Sequence, residues 1–181
     1  MNENFIIRIF KVIGFALLSF SGMLVLIQKI IKKDYFIIRE ILFILGFFIL
    51  AIKYANIDPE LFLNTDNIRF GHILLFLNNL HALFFSDYTI IKIPDNFNFF
   101  NLFGTLANFF FIKNNNYMII GNIFFILFFM TFIFYVYKMD NIIQIIQFFG
   151  SLLAMISYIF ALKKNYKIYV KNIYDQRDKI N

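Results

Sequence analysis

Apolar residues gather into six runs separated by short polar segments, and the runs differ in what interrupts them. Residues 12–27 carry no charge and are flanked by Lys11 and Lys29. Residues 35–54 hold Arg39 and Glu40 about one turn inside their start. Run 70–85 contains His72, Asn78, Asn79 and His81, and run 97–112 contains Asn98, Asn101, Gly104, Thr105 and Asn108. Runs 117–137 and 141–162 carry no charge and are joined by the turn Lys138-Met139-Asp140. A helix that crosses a bilayer takes about 20 mostly apolar residues. The pattern therefore predicts an all-α, polytopic membrane bundle of five to six transmembrane helices within residues 1–162. Pro59 and Pro94 fall in the longer connections, where a fixed φ and a missing donor do a helix no harm.

Lysine and arginine in short loops orient a membrane protein. Two clusters dominate: Lys29, Lys32 and Lys33 after the first run, and Lys163, Lys164 and Lys167 at the start of a basic, Tyr-rich tail, residues 163–181. The positive-inside rule assigns both to the matrix or cytoplasmic side, in contact with phospholipid headgroups. Asp58, Glu60 and Asp66, in a stretch without bases, fit the opposite face. With five runs between the two basic clusters, a shared side requires that one run fail to cross. Run 97–112 is the candidate for a re-entrant, tilted or protein-buried half-helix, because each Asn amide in hydrocarbon needs a partner that lipid does not supply. The tail reads as an extension along the membrane surface or on a neighbouring subunit.

Composition sharpens this picture. The 181 residues are 61% hydrophobic and 15% charged, with a mean hydropathy of +0.72. A soluble domain needs about a quarter charged residues, so a soluble reading is excluded. Phe (29), Tyr (10) and Met (6), together with abundant Ile, Asn and Lys, are residues of AT-rich codons. That bias points to an organelle genome or an AT-rich bacterium. The start Met1-Asn2-Glu3-Asn4 carries an acid and runs into a span, unlike an Arg- and Ser-rich presequence. The expectation is a mitochondrially encoded, multi-pass protein of the mitochondrial inner membrane. Without Cys there is no disulfide, iron–sulfur cluster or thiolate metal site. The net charge of +6 comes from the two basic clusters and speaks for headgroups rather than nucleic acid.

No phosphate-binding Gly loop, nucleophile elbow or zinc helix is present, so no catalytic residue, metal site or cofactor of its own is expected. His72 and His81 suggest haem ligation, but their nine-residue separation is about two and a half helical turns, which sends the rings to opposite faces. Satisfied interhelical hydrogen bonds, made by these histidines together with Asn78 and Asn79, are the plainer role. Glu40 is the one acid inside an apolar run; an intramembrane carboxyl marks a proton relay, an ion site or the partner of a base. Snorkelling of Glu40 and Arg39 to the headgroups is the alternative. The proton-path candidates are thus Glu40, His72 and His81.

The segment Asn101-Leu-Phe-Gly-Thr-Leu-Ala-Asn-Phe-Phe-Phe-Ile-Lys113-Asn-Asn-Asn-Tyr-Met-Ile-Ile, continuing to Thr131-Phe-Ile-Phe-Tyr-Val-Tyr-Lys138, resembles the antiporter-like membrane-arm chains of respiratory NADH:ubiquinone oxidoreductase (complex I), specifically mitochondrial chain 2. Ser157 to Lys163 fits the same helix ending in a second register. The likeness covers residues 97–164. The family's lysine in the Gly-Phe segment would fall near Thr105 or Leu106 here, its prolines are missing, and the chain is about half the usual length or less. Chain 6 of the same complex, of similar length, competes. The resemblance implies a shortened membrane-arm subunit that contributes to proton translocation in the respiratory chain, mainly as helical scaffold among other membrane subunits, with electrons and ubiquinone handled elsewhere. A structural membrane subunit of mitochondrial ATP synthase and a small transporter are the rival readings.

Overall fold

The computed structural model describes residues 3–34, 37–56, 66–84, 97–113, 118–136 and 141–177. Among them are six helices and no strand: α1 (Glu3–Ile31), α2 (Ile38–Asn56), α3 (Asp66–Phe84), α4 (Phe97–Lys113), α5 (Met118–Val136) and α6 (Ile142–Arg177). Each predicted run lies within or largely overlaps one helix, and the chain is an all-α membrane bundle. α1, α5 and α6 are long and apolar enough to span by themselves.

Every helix packs on its neighbours in sequence, and α6 returns to pack on α1, so the bundle closes into a ring. Neighbours are antiparallel throughout. Along α1 and α2, Lys11 meets Tyr54, Ser19 meets the carbonyl of Ile44, and Lys29 meets Glu40. Between α3 and α4, His72 meets Asn108 and Asn79 meets Gly104. Lys164 of α6 donates to Asn4 of α1 at 2.7 Å. Small residues bring backbones close where lipid gives helices no hydrophobic reason to associate. A Cβ on Gly14 would sit 2.8 Å from the carbonyl oxygen of Gly150, and one on Gly46 would come within 3.3 Å of that of Gly71.

The ring is apolar outside, and its interior holds an aromatic core with buried polar side chains beside it. Ile38, Ile41, Leu45, Phe48 and Ile52 form an exposed stripe on α2, and Phe70, Ile73 and Leu77 do so on α3. Their inward faces carry His72, Asn78 and Asn79, opposite Asn101 and Asn108 of α4, all buried. Such a distribution suits a protein whose solvent is lipid, and it explains why α2 to α4 look ambiguous by hydropathy. Their polar residues are interior, so the surface each offers to lipid is as apolar as that of α5. The axis itself is filled by Phe15, Phe47, Phe125, Phe129 and Tyr158; the Phe125 and Tyr158 rings stack 4.6 Å apart.

The fourth run is a continuous 17-residue helix, α4, about 25 Å long, lying antiparallel between α3 and α5 and shorter than the helices that can span by themselves. Two expectations change. With six alternating helices, Lys29, Lys32 and Lys33 lie at the opposite end of the bundle from the lysines of α6, so the two basic clusters do not share a side. The physical reason is that the clusters do not carry equal weight: Lys29 has its charge taken up by acids within the bundle, which leaves the first cluster much the weaker of the two. The basic tail, as far as Arg177, is not a separate extension either. It continues α6 as one helix for about 20 Å past Lys164.

Candidate functional site

Charged and amide side chains collect at the end where α1 terminates. The chain leaves α1 through a Schellman turn: Asp34 donates its N–H to the carbonyl of Lys29 at 2.9 Å and Lys33 to that of Ile30 at 3.0 Å. Lys33 takes the left-handed conformation this turn requires, with φ of 57°. The turn folds Asp34 back onto Lys29, whose ammonium lies 3.8 Å from one Asp34 oxygen and 2.9 Å from Glu40 Oε1. Glu40 sits in the first turn of α2, where the helix dipole favours an anion. Three buried or half-buried groups thus form one ion cluster. Lys29 does not reach outward to headgroups as the sequence reading has it, because two carboxylates take up its charge inside the bundle. Lys32, Lys33, Lys163 and Lys167 are exposed, and Lys164 is tied to Asn4.

Beside this cluster lies a cavity of about 360 Å³, lined by all six helices and therefore on the bundle axis. Lys29, Glu40, Asn78, Phe100, Phe132 and Gln144 each contribute from a different helix. Arg39 lines it too, so Arg39 and Glu40 face inward rather than snorkel. Asn141 caps α6 by accepting the N–H of Gln144 at 3.0 Å and so fixes the α6 wall. Glu40 Oε2 and Asn78 Oδ1 are buried without a hydrogen-bond partner among the described residues. His81 is half-buried at the same end.

At the other end, Lys11 is 2% exposed. Its ammonium lies 3.3 Å from the Tyr54 hydroxyl and over the rings of Tyr54 and Tyr158, at 4.5 and 4.4 Å from their centroids. Lys11 is therefore not the span flank, reaching for the headgroups, that its place in the sequence suggests. It occupies the interior stripe of α1 with Phe15 and Leu18, and Lys29 ends the same stripe. Arg8, one turn earlier, donates to the carbonyl of Ala55.

His72 is fully buried, with Nδ1 2.8 Å from Asn108 Oδ1 and its ring stacked on Phe111 at 4.8 Å. Its hydrogen-bond partner is on α4, so the bond is interhelical, as the sequence suggests. His72 Nε2 has no partner among the described residues. Asn108 donates in turn to the carbonyl of Gly104 at 2.7 Å, and Gly104 leaves the space that the Asn79 amide fills. Asn78 contacts Asn79 at 3.5 Å. A polar seam thus follows the α3–α4 interface from the cavity at Asn78, through Asn79, Gly104 and Asn108, to His72, which lies within electrostatic reach of Lys11. It runs beside the aromatic core. The two histidines do not share a ligand face, and among the described residues no group of three or more His, Asp or Glu could hold a metal.

Compared with protein-family models, with curated proteins and with solved structures, the chain matches none.

Proposed function

We propose that this chain is a membrane subunit of a proton-translocating respiratory assembly, the membrane arm of NADH:ubiquinone oxidoreductase in the mitochondrial inner membrane, where it serves as helical scaffold and supplies part of a proton path. The observation that carries the reading is the polar seam from the Glu40 cavity to His72, with Lys11 buried in the same half of the bundle. Lys29 and Lys11 are eighteen positions apart on α1, about 27 Å along its axis, close to the thickness of the hydrocarbon core. Ionisable groups held inside a bundle and away from water are costly and mark ion or proton routes. The amides between them are short of partners: both side-chain atoms of Asn101 and the Oδ1 of Asn78 lack protein hydrogen bonds among the described residues. Internal water would satisfy them and supply the proton carriers that amides are not. The resemblance of residues 97–164, which span α4, α5 and most of α6, adds the complex.

A transporter is the second reading, favoured by the axial cavity. The ATP synthase reading draws no support from Arg39, which faces the interior and not a neighbouring rotor. Native electrophoresis of mildly solubilised membranes, with in-gel NADH oxidation and mass spectrometry, tests the proposal. Co-migration with the NADH-oxidising band is expected. Migration with the ATP-hydrolysing band, or as a free species of the chain's own size, would overturn it.

A further inference from the structure

The axial cavity, where the polar seam begins, has a chemistry that goes beyond proton transfer. Its polar wall carries Lys29, Arg39 and Glu40, and Asp34 lies 3.8 Å from Lys29, so two positive and two negative formal charges meet at this end of the bundle. Charge balance of this kind disfavours a net anion or cation and favours a neutral guest. Separated charges within a largely desolvated site favour a guest that is itself dipolar.

The hydrogen-bonding inventory narrows the guest further. Glu40 Oε1 is occupied by Lys29, while Glu40 Oε2 points to no donor. The Asn78 side chain is 3% exposed and lines the cavity, and its Oδ1 is also without a donor. Both open positions are acceptors, so the guest brings N–H or O–H groups. An ammonium has three donors and a charge that Glu40 complements. The Arg39 guanidinium, on the same wall, suits a carboxylate or phosphate. Phe43, Phe100 and Phe132 supply an apolar part of the lining, beside the amides of Gln28, Asn141, Gln144 and Gln147. The volume is in the range of small-molecule sites, about 300–1,000 Å³.

We infer that the axial cavity binds a small zwitterion in which a primary ammonium stands close to an anionic group. Glu40 and Asn78 accept from the ammonium, Arg39 holds the anion, and the phenyl floor receives the apolar part. A free apolar amino acid and the headgroup of phosphatidylethanolamine share this chemistry. Because all six helices line the site, it lies on the bundle axis rather than on the lipid-facing wall, which favours the free amino acid. The assignment does not depend on the respiratory reading.

The test is equilibrium binding of radiolabelled L-leucine and L-phenylalanine to the full-length chain, purified in mild detergent with whatever partners it retains. Saturable binding is expected, with competition by the unlabelled amino acid and none by its N-acetyl derivative, which lacks the ammonium. Asn78→Leu should weaken binding at least tenfold, whereas Asn78→Asp, which keeps an acceptor oxygen, should preserve it. His72→Phe, at the far end of the seam, should bind like the unsubstituted chain even if it abolishes proton transfer, which separates this site from the proton path. If phosphatidylethanolamine binds and the amino acids do not, with phosphatidylcholine inert for want of N–H donors, the zwitterion is a lipid. Absence of binding by amino acids and phosphatidylethanolamine alike would overturn the proposal. So would equal binding of the N-acetyl derivative.

Discussion

Lys11 shows how far a single residue departs from the role its position in the sequence suggests. A lysine just before an apolar run ordinarily lays its stem along the helix and keeps its head in water. Here the ammonium is turned inward between Tyr54 and Tyr158, where ring quadrupoles replace part of its hydration. Burying a charge in this way is weak evidence for stability, since a well-packed apolar residue of the same length often does as well or better. Lys11→Met should therefore leave the melting temperature of the detergent-solubilised protein unchanged or raise it. The same substitution removes the ionisable end of the seam. Proton flux through vesicles holding the native assembly, read with a pH-sensitive dye, should fall at least tenfold. A large loss of stability with flux per folded molecule intact would make Lys11 a structural residue. The sequence held a signal for this placement: Lys11, Phe15, Leu18, Gly22, Val25 and Lys29 follow helical spacing, so both lysines continue the stripe that must face the core. Charge at a span boundary masked it, because snorkelling explains the same residue equally well.

At the scale of elements, closure of the ring depends on how near α1 and α6 approach. Gly14 faces backbone: its added Cβ would lie 2.8 Å from the Gly150 oxygen and 2.9 Å from the Ala154 nitrogen. Gly22, two turns on, faces the side chains of Ile44 and Phe43 at 2.9 Å, which can rotate. Gly14→Ala should thus push α6 away and cost about 1–3 kcal/mol or more, while Gly22→Ala should cost less than about 1 kcal/mol. Thermal denaturation of the two variants in the same detergent measures the contrast; equal losses would mean that α6 yields as easily as a side chain. Helix positions were legible because the apolar runs are long and the breaks between them polar. The pairing of helices was not. Nothing in the sequence says that Asn108 reaches His72 across an interface, since an Asn looks the same whether it meets a histidine, a carbonyl or water. What was readable is that Asn78, Asn79, Asn101 and Asn108 needed partners somewhere; the fold turns these helices polar side in, where Asn108 meets His72 while Asn101 has no side-chain partner among the described residues.

Taken as a whole, the described part of the molecule starts α1 and continues α6 past Lys164 at the same end of the bundle, because six alternating helices return the polypeptide there. Arg8, Lys53, Arg69, Lys113 and the α6 lysines lie there, whereas Lys29, Lys32, Lys33 and Arg39 lie at the other end in company with Asp34 and Glu40. By the positive-inside rule the excess of bases predicts that the first end faces the matrix or cytoplasm. Lys32 and Lys33 then face the opposite side, against the local preference of a basic loop, and the wider excess at the other end outweighs them. The absence of cysteine makes the arrangement directly measurable. Lys32→Cys and Lys171→Cys place single thiols at exposed positions, one at each end. In sealed vesicles of one orientation, a membrane-impermeant maleimide should label one of the two variants, and the other should react only after permeabilisation, with the Lys171→Cys thiol on the matrix or cytoplasmic side. Labelling of both from the same side would require an odd number of crossings between α1 and the tail of α6 to become even. α4 would then have to leave its place between α3 and α5, and the His72–Asn108 contact on which the seam depends would be lost with it.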